Sequence, residues 1–362
     1  MSLLQCLFIF LWLQPTDPDA LLRAGSELAR EGKDLEALRA FRKVVGLAPV
    51  NGTAWLQIAL LLERNGNGRE ATFAFQRAAA LLPDHIAAQR TCGEALYRLG
   101  RAEDAVGPLE RSVSGAAPVV EALPFLAGAY VALGRSDDGF EALRRYLSLR
   151  PADSDLRLMF GRQLAGAKRY DEALAVWKEG LESGAKPAEF CFSMAETLAR
   201  SRDGYPEATA YLYRALEAAP EHLAARLLLS RVLVRSGRVE EGLREAEKAA
   251  ASRPDSADVQ FQLASTHQQL GRTEDAERAR VRFQTLTRES ERREHLESRI
   301  KVTYKRGREL LDGGNMPEAK KEFAAVVELD PENALARSML AKIAFSQGLL
   351  PEARRWIGEA IL

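Results

Sequence analysis

Residues 70–84 read EATFAFQRAAALLPD, and residues 207–221 read EATAYLYRALEAAPE. The stretches share one order of small, aromatic, basic and alanine residues, and both run into a proline. Their offset is 137 residues, which is four periods of 34 plus one. Self-similarity at a fixed period of this size marks a chain built from stacked structural units. Within each stretch the apolar residues recur at helical spacing, and the proline ends the helix because its ring blocks another turn.

With Ala71 at position 20, the unit runs from Gly52 to His85 and the frame extends along the chain. Units start near Pro18, Gly52, Ile86, Val120, Ser154, Ala188, Leu223, Ala257, Ile300 and Ala334; the sixth carries one extra residue. Position 8 reads Gly25, Ala59, Gly93, Ala127, Gly161, Ala195, Ser230, Ala264, Gly307 and Ala341. Position 20 reads Ala37, Ala71, Ala105, Gly139, Ala173, Ala208, Gly242, Ala276, Ala319 and Ala353. Every one of these residues is small. Larger residues such as Trp55, Leu126, Tyr130, Phe160, Trp177, Leu229 and Phe323 fall at positions 4, 7, 11 and 24 and form a core stripe.

This pattern resembles the tetratricopeptide repeat (TPR), whose signature sets Trp at position 4, small residues at 8 and 20, an aromatic at 24 and Pro at 32. The resemblance implies an all-α fold, a right-handed α-solenoid (superhelix) of stacked TPR helix-turn-helix hairpins, with helices A and B crossing at positions 8 and 20. A single hairpin cannot bury its own apolar face, so the units must stack.

The chain divides into a hydrophobic N-terminal segment (1–17), eight TPR units (18–290), a charged helical connector (288–299) and two further units (300–362), the last incomplete. Residues 2–13, SLLQCLFIFLWL, are too short to span a bilayer and suit the apolar part of a signal peptide, although no basic leader precedes them. A hydrophobic cap on the first unit and an interfacial membrane anchor are the alternatives. Export to the periplasm or medium of a bacterium is expected, with a cytoplasmic location otherwise. In the fourth unit Pro124 delays helix A, after a loose connection through Gly115 and Pro118. The connector, RESERREHLESR, has eight charged residues of twelve and offers the i,i+4 pairs Glu289–Arg293 and Arg293–Glu297. It is expected to be an exposed helical spacer, with Thr287 or Ser290 able to cap a break. The tenth unit stops inside helix B, and either the chain is truncated there or its open end is the expected place for self-association.

Composition excludes several functions. Lys plus Arg number 51 and Asp plus Glu number 51, so the chain is neutral and lacks the clustered cations that nucleic acid requires. Cys92 and Cys191 are expected as buried hydrophobes, and Cys6 lies in the apolar leader. His85 and His222 fall in inter-unit turns, and His267, in a core slot, is expected to be hydrogen-bonded. No metal-ligand spacing, phosphate loop or nucleophile elbow is present, so no cofactor, metal or catalytic residue is assigned and an enzyme is not expected.

Surface recognition remains. In TPR proteins helix A lines a concave groove through positions 2, 5, 9, 12 and 13. In this chain those positions nominate Leu22, Arg30, Leu56, Leu60, Arg64, Tyr97, Arg98, Leu158, Phe192, Arg200, Leu227, Arg235, Phe261 and Tyr304. They describe an apolar stripe flanked by guanidinium groups, suited to a protein or peptide segment with apolar anchors and acidic flanks. The expected role is a protein-interaction scaffold or adaptor. The alternatives are a regulatory or substrate-presenting subunit of an enzyme complex and a self-assembling structural protein.

Overall fold

The computed structural model describes residues 17–114 and 118–361; the apolar segment 2–13, Cys6 and Gly115 lie outside the described residues. Nineteen α-helices and one 3₁₀ turn, with no strand, make up the regular structure of the described residues. The first three hairpins are α1 (Pro18–Arg30) with α2 (Asp34–Leu47), α3 (Gly52–Arg64) with α4 (Gly68–Leu81), and α5 (Ile86–Arg98) with α6 (Ala102–Val113). A 3₁₀ turn, Val120–Ala122, leads into α7 (Leu123–Ala132) and α8 (Ser136–Leu149). Pro124 sits in the first turn of α7, where its missing N–H is harmless. Then come α9 (Ser154–Gly166) with α10 (Tyr170–Glu182), α11 (Pro187–Leu198) with α12 (Tyr205–Ala218), and α13 (Leu223–Arg235) with α14 (Val239–Ser252). The last group is α15 (Ala257–Gln269), α16 (Thr273–Asp312), α17 (Met316–Leu329), α18 (Ala334–Ser346) and α19 (Leu350–Ile361). Two compact units divide at Ser193/Met194, inside α11. Each is a solenoid of antiparallel hairpins.

The small residues behave as close-approach points. Of the twenty at positions 8 and 20, all are buried except Ala264 and Ala276, both in the α15/α16 hairpin. A Cβ on Gly93 would stand 2.6 Å from Leu109 Cγ, and one on Gly161 would stand 2.1 Å from Trp177 Nε1. Around these crossings Phe41, Phe75, Phe160, Phe190, Trp177 and Phe323 are fully buried. Each contributes about 1.5–3 kcal/mol of transfer free energy or more.

In nine of the ten repeats position 15 ends helix A in the left-handed region; Arg202 of the sixth does not. Gly32, Gly66, Gly100, Gly134, Gly237, Gly271, Gly314 and Gly348 all have φ between 68° and 82°. The following amide reaches back to close the turn, as in Lys33 N to Leu28 O at 2.9 Å. In the fifth repeat Lys168 occupies this slot at φ 62°, a conformation that strains a residue with a Cβ.

Position 4 does more than fill space. Trp55 Nε1 donates to Pro49 O at 2.9 Å, Gln89 Nε2 to Leu82 O at 2.7 Å, Arg157 Nη2 to Pro151 O at 3.3 Å and Gln260 Nε2 to Pro254 O at 3.0 Å. Arg226 makes the same bond to Pro220 O. In these five repeats position 4 is an N–H donor that ties helix A to the carbonyl of the turn before it, whereas Leu21 and Leu123 only fill the same slot in the first and fourth. Just upstream, Asn51, His85, Asp153, His222 and Asn333 cap helix A by accepting from the amide three residues on.

The regular stacking changes at α16. This helix runs unbroken for 40 residues, about 60 Å at 1.5 Å per residue. Its first turns pack on α15, where the Phe261 and Phe283 rings lie 5.5 Å apart. Its last turns pack on α17, where Tyr304 and Phe323 lie 5.4 Å apart and Gly307 sits against the Phe323 ring. Helix B of the eighth repeat therefore continues directly into helix A of the ninth. Ala264 and Ala276 are half-exposed where the helix runs on instead of turning back. All of residues 288–299 are exposed. Three expectations need correction here. Thr287 and Ser290 cap no break: Thr287 Oγ1 donates to Phe283 O at 3.0 Å, and Ser290 Oγ to Glu294 at 3.4 Å. The pairs Glu289–Arg293 and Arg293–Glu297 do not close, because ordering two long exposed side chains costs about what the screened attraction returns. His267 is half-buried, and its Nδ1 has no hydrogen-bond partner among the described residues.

Candidate peptide-binding groove

In the first unit Leu22, Leu56 and Leu60 are half-buried along their helices, and Leu22 packs beside Leu21, Val44 and Ala54. Tyr97 meets Phe125 edge-to-face at 6.1 Å, and its hydroxyl lies over the bare backbone of Gly128, 2.5 Å from where a Cβ would stand. That glycine at position 9 opens the space Tyr97 occupies. Phe192 is half-buried. Leu158 departs from the row: at 6% exposure it is a core residue, while its neighbour Met159 is 40% exposed. A position 5 side chain is shared between groove and neighbouring helix, and here the neighbour covers nearly all of it.

In the second unit Leu227 is half-buried, and Phe261 is 58% exposed. Phe261 and Phe283 flank a cleft of about 570 Å³ that reaches Ala264, Gln268, Ala276 and Arg280. Tyr304 is half-buried and belongs to the core of the ninth hairpin with Phe323. Two residues absent from the sequence list are more open than most on it: Leu335 at position 2 is 65% exposed and Phe345 at position 12 is 67% exposed. Both obey the register used for the others.

The guanidinium groups at position 13 are exposed at Arg30, Arg64, Arg98, Arg200 and Arg235. Arg64 pairs with Asp34, and Arg98 Nη2 lies 3.2 Å from Glu63 Oε1. Both partners sit on the preceding repeat, so these arginines tie neighbours together while keeping about half their surface in solvent.

Neither Cys92 nor Cys191 is in a disulfide, and both are buried. Burial pushes the Cys92 thiol up to about 12, which keeps it protonated and unreactive. Among the described residues no group of three His, Cys, Asp or Glu side chains could hold a metal ion. None of the described helices is long and apolar enough to cross a membrane.

Stacked helical hairpins with small crossing residues and a left-handed turn at position 15 define a repeat protein of the interaction-scaffold type. The tetratricopeptide-repeat pattern matches residues 22–86, 56–121, 229–281 and 304–361, and a second form of it matches 203–246. These segments take in more than half of the chain, which belongs to the tetratricopeptide-repeat family. The chain is similar in fold to the Naa15/Naa10 complex bound to HypK-THB, at 16% identity and a TM-score of 0.54. That match covers 99% of this chain and 60% of the other. MamA (41-end) from Desulfovibrio magneticus RS-1 is 20% identical at a TM-score of 0.40, over 48% of this chain and 97% of that one. YrrB, described as a TPR protein with an unusual peptide-binding site, is 21% identical at 0.40, over 51% and 95%. No curated protein matches the chain in sequence.

Proposed function

We propose that the protein is a scaffold or adaptor that takes a peptide or protein segment along the helix A faces of its repeats. The observation that carries this reading is the set of open apolar side chains at groove positions of the second unit: Phe261, Leu335 and Phe345, each more than half exposed. Isolated exposed apolar residues are ordinary, but Leu335 and Phe345 share α18 and Phe261 flanks a cleft with Phe283, and such surfaces are the kind that partners cover. The anchors suit apolar side chains of the ligand, and the half-solvated arginines at position 13 suit acidic flanks. The proposal includes export, with residues 2–13 as the signal, which sequencing of the mature N-terminus tests.

The groove is tested by capture of partners with the full chain beside Phe261→Glu and the double variant Phe192→Glu/Phe261→Glu. Phe261 is the cleaner site because it is the more exposed. A partner held by the native chain and lost with folded Phe261→Glu supports the groove. A partner kept by both folded variants removes it.

A further inference from the structure

Adjacent repeats leave a cleft at one place in the register, and it is built twice with opposite chemistry. In the fifth repeat it measures about 490 Å³ and includes Arg144, Leu147, Arg157, Phe160, Glu172 and Glu179. In the second repeat it measures about 340 Å³ and includes Arg42, Val45, Trp55, Ile58, Glu70 and Phe73. Five of the six named residues correspond across three repeats, and Phe73 corresponds to Ala175, which also lines the cleft of the fifth repeat. In the fifth repeat the charges are matched internally: Arg157 pairs with Glu179 at 2.6 Å, and Arg144 pairs with Glu172. In the second repeat Trp55 replaces Arg157, Phe73 replaces Ala175 and Arg77 replaces Glu179.

Those exchanges change what the cleft offers. Trp55 and Phe73 meet at 5.7 Å and 82°, forming an apolar corner with Phe73 55% exposed. Arg42 is neutralised by Glu70 at 2.8 Å. Arg69, which also lines the cleft, pairs with no carboxylate among the described residues. Arg77 has its guanidinium 5.9 Å from the Trp55 ring and likewise no carboxylate. The corner is apolar inside and carries two uncompensated cations at its edge. We propose that it is a second binding site, on a face distinct from the groove, for a peptide segment that inserts one aromatic or branched aliphatic side chain flanked by carboxylates.

The volume suits one large side chain and its backbone, at the small end of the range for ligand sites, about 300–1,000 Å³. A nucleotide also pairs a ring with negative charge, but the geometry disfavours it. Perpendicular rings do not form the parallel plates that sandwich a base, and the walls, Val45, Ile58, Leu62 and Ala74, have no side-chain donor or acceptor for a base edge.

The test is fluorescence anisotropy of a labelled acetyl-Asp-Glu-Leu-Phe-Glu-Asp-amide titrated with the full chain, beside a peptide with lysine at every acidic position. The acidic peptide should bind saturably, and Phe73→Asp should weaken it by about tenfold or more. Arg69→Glu/Arg77→Glu should shift preference to the lysine peptide. Phe261→Glu should leave binding unchanged, which separates this site from the groove. Circular dichroism confirms that each variant is folded. The proposal is overturned by no saturation up to about 1 mM, by equal binding of the two peptides, or by native affinity in both corner variants. Loss of binding in Phe261→Glu overturns it by moving the peptide to the groove. Displacement by a thymidine hexanucleotide more strongly than by unlabelled peptide overturns it in favour of nucleic acid.

Discussion

Two glycines in one helix should respond in opposite directions to the same substitution. In α9, a methyl group at Gly161 would stand 2.1 Å from Trp177 Nε1 and 2.3 Å from Cε2, whereas one at Gly166 meets nothing within 4 Å. Alanine in a helix is worth about 0.5–1 kcal/mol over glycine, and Gly166→Ala should show up to that gain. Gly161→Ala has the same gain available but must displace an indole that is 1% exposed. Overpacking of this kind costs about 1–3 kcal/mol, occasionally more. Moving the ring also disturbs the Nε1 bond to Leu158 O, 3.4 Å long, worth about 0.5–1.5 kcal/mol at most. The net expectation is a loss of about 1–3 kcal/mol for Gly161→Ala, and so a gap of about 2–4 kcal/mol between the variants. Urea unfolding followed by circular dichroism measures both. Repeat arrays often depart from two-state behaviour, so hydrogen exchange at the α9/α10 hairpin should accompany it. Trp177→Phe in the Gly161→Ala background should recover part of the loss by shrinking the obstructing ring. Equal shifts of one sign in the two glycine variants would refute the close-approach account of position 8.

Three further outcomes follow from the same geometry. Trp55→Phe keeps a ring but removes the donor to Pro49 O, and should cost about 0.5–1.5 kcal/mol in urea unfolding; no change would reduce position 4 to filling. Lys168→Gly should raise the thermal midpoint, by about 1 kcal/mol of relieved strain, since the residue sits at φ 62°. Burial, and then the hydrogen bond to Glu110, push Tyr130 up to about 12, and burial also raises Tyr146. Between the unfolded value of about 10 and the folded value, the folded chain holds protons that the unfolded chain releases. Stability should therefore be complete below about pH 10 and fall as pH rises toward 12, with a shallower fall in Tyr130→Phe/Tyr146→Phe, read from urea midpoints.

Much of this fold is legible in the chain because the repeat writes it ten times. Small residues at positions 8 and 20 place the crossings, and the glycine at position 15 places the turn. Other features were legible but needed a different question. Trp55, Gln89, Arg157, Arg226 and Gln260 look unrelated when ranked by size, yet every one carries an N–H donor. The site was harder to read. Leu158 and Phe261 share position 5, one at 6% and the other at 58% exposure. Register fixes the direction of a side chain, but its exposure depends on how closely the next helix packs. The same limit explains why the ion pairs expected within 288–299 are absent: spacing permits a pair, and solvation decides whether it forms.

The unbroken α16 converts sequence length into angle. Each residue of an α-helix advances about 100°, so one residue inserted within 288–299 would swing the α17 hairpin about 100° around the rod relative to α15. Insertions of seven or eleven residues would bring it back to within about 20° of its present phase. The composition of this segment is therefore free to drift so long as it stays helical and soluble, while its residue count is not. Elsewhere in the chain loop insertions are absorbed at the turns, as with the extra residue of the sixth repeat. Here the spacer acts as a dial, and evolution could reorient the last two repeats by changing only its length.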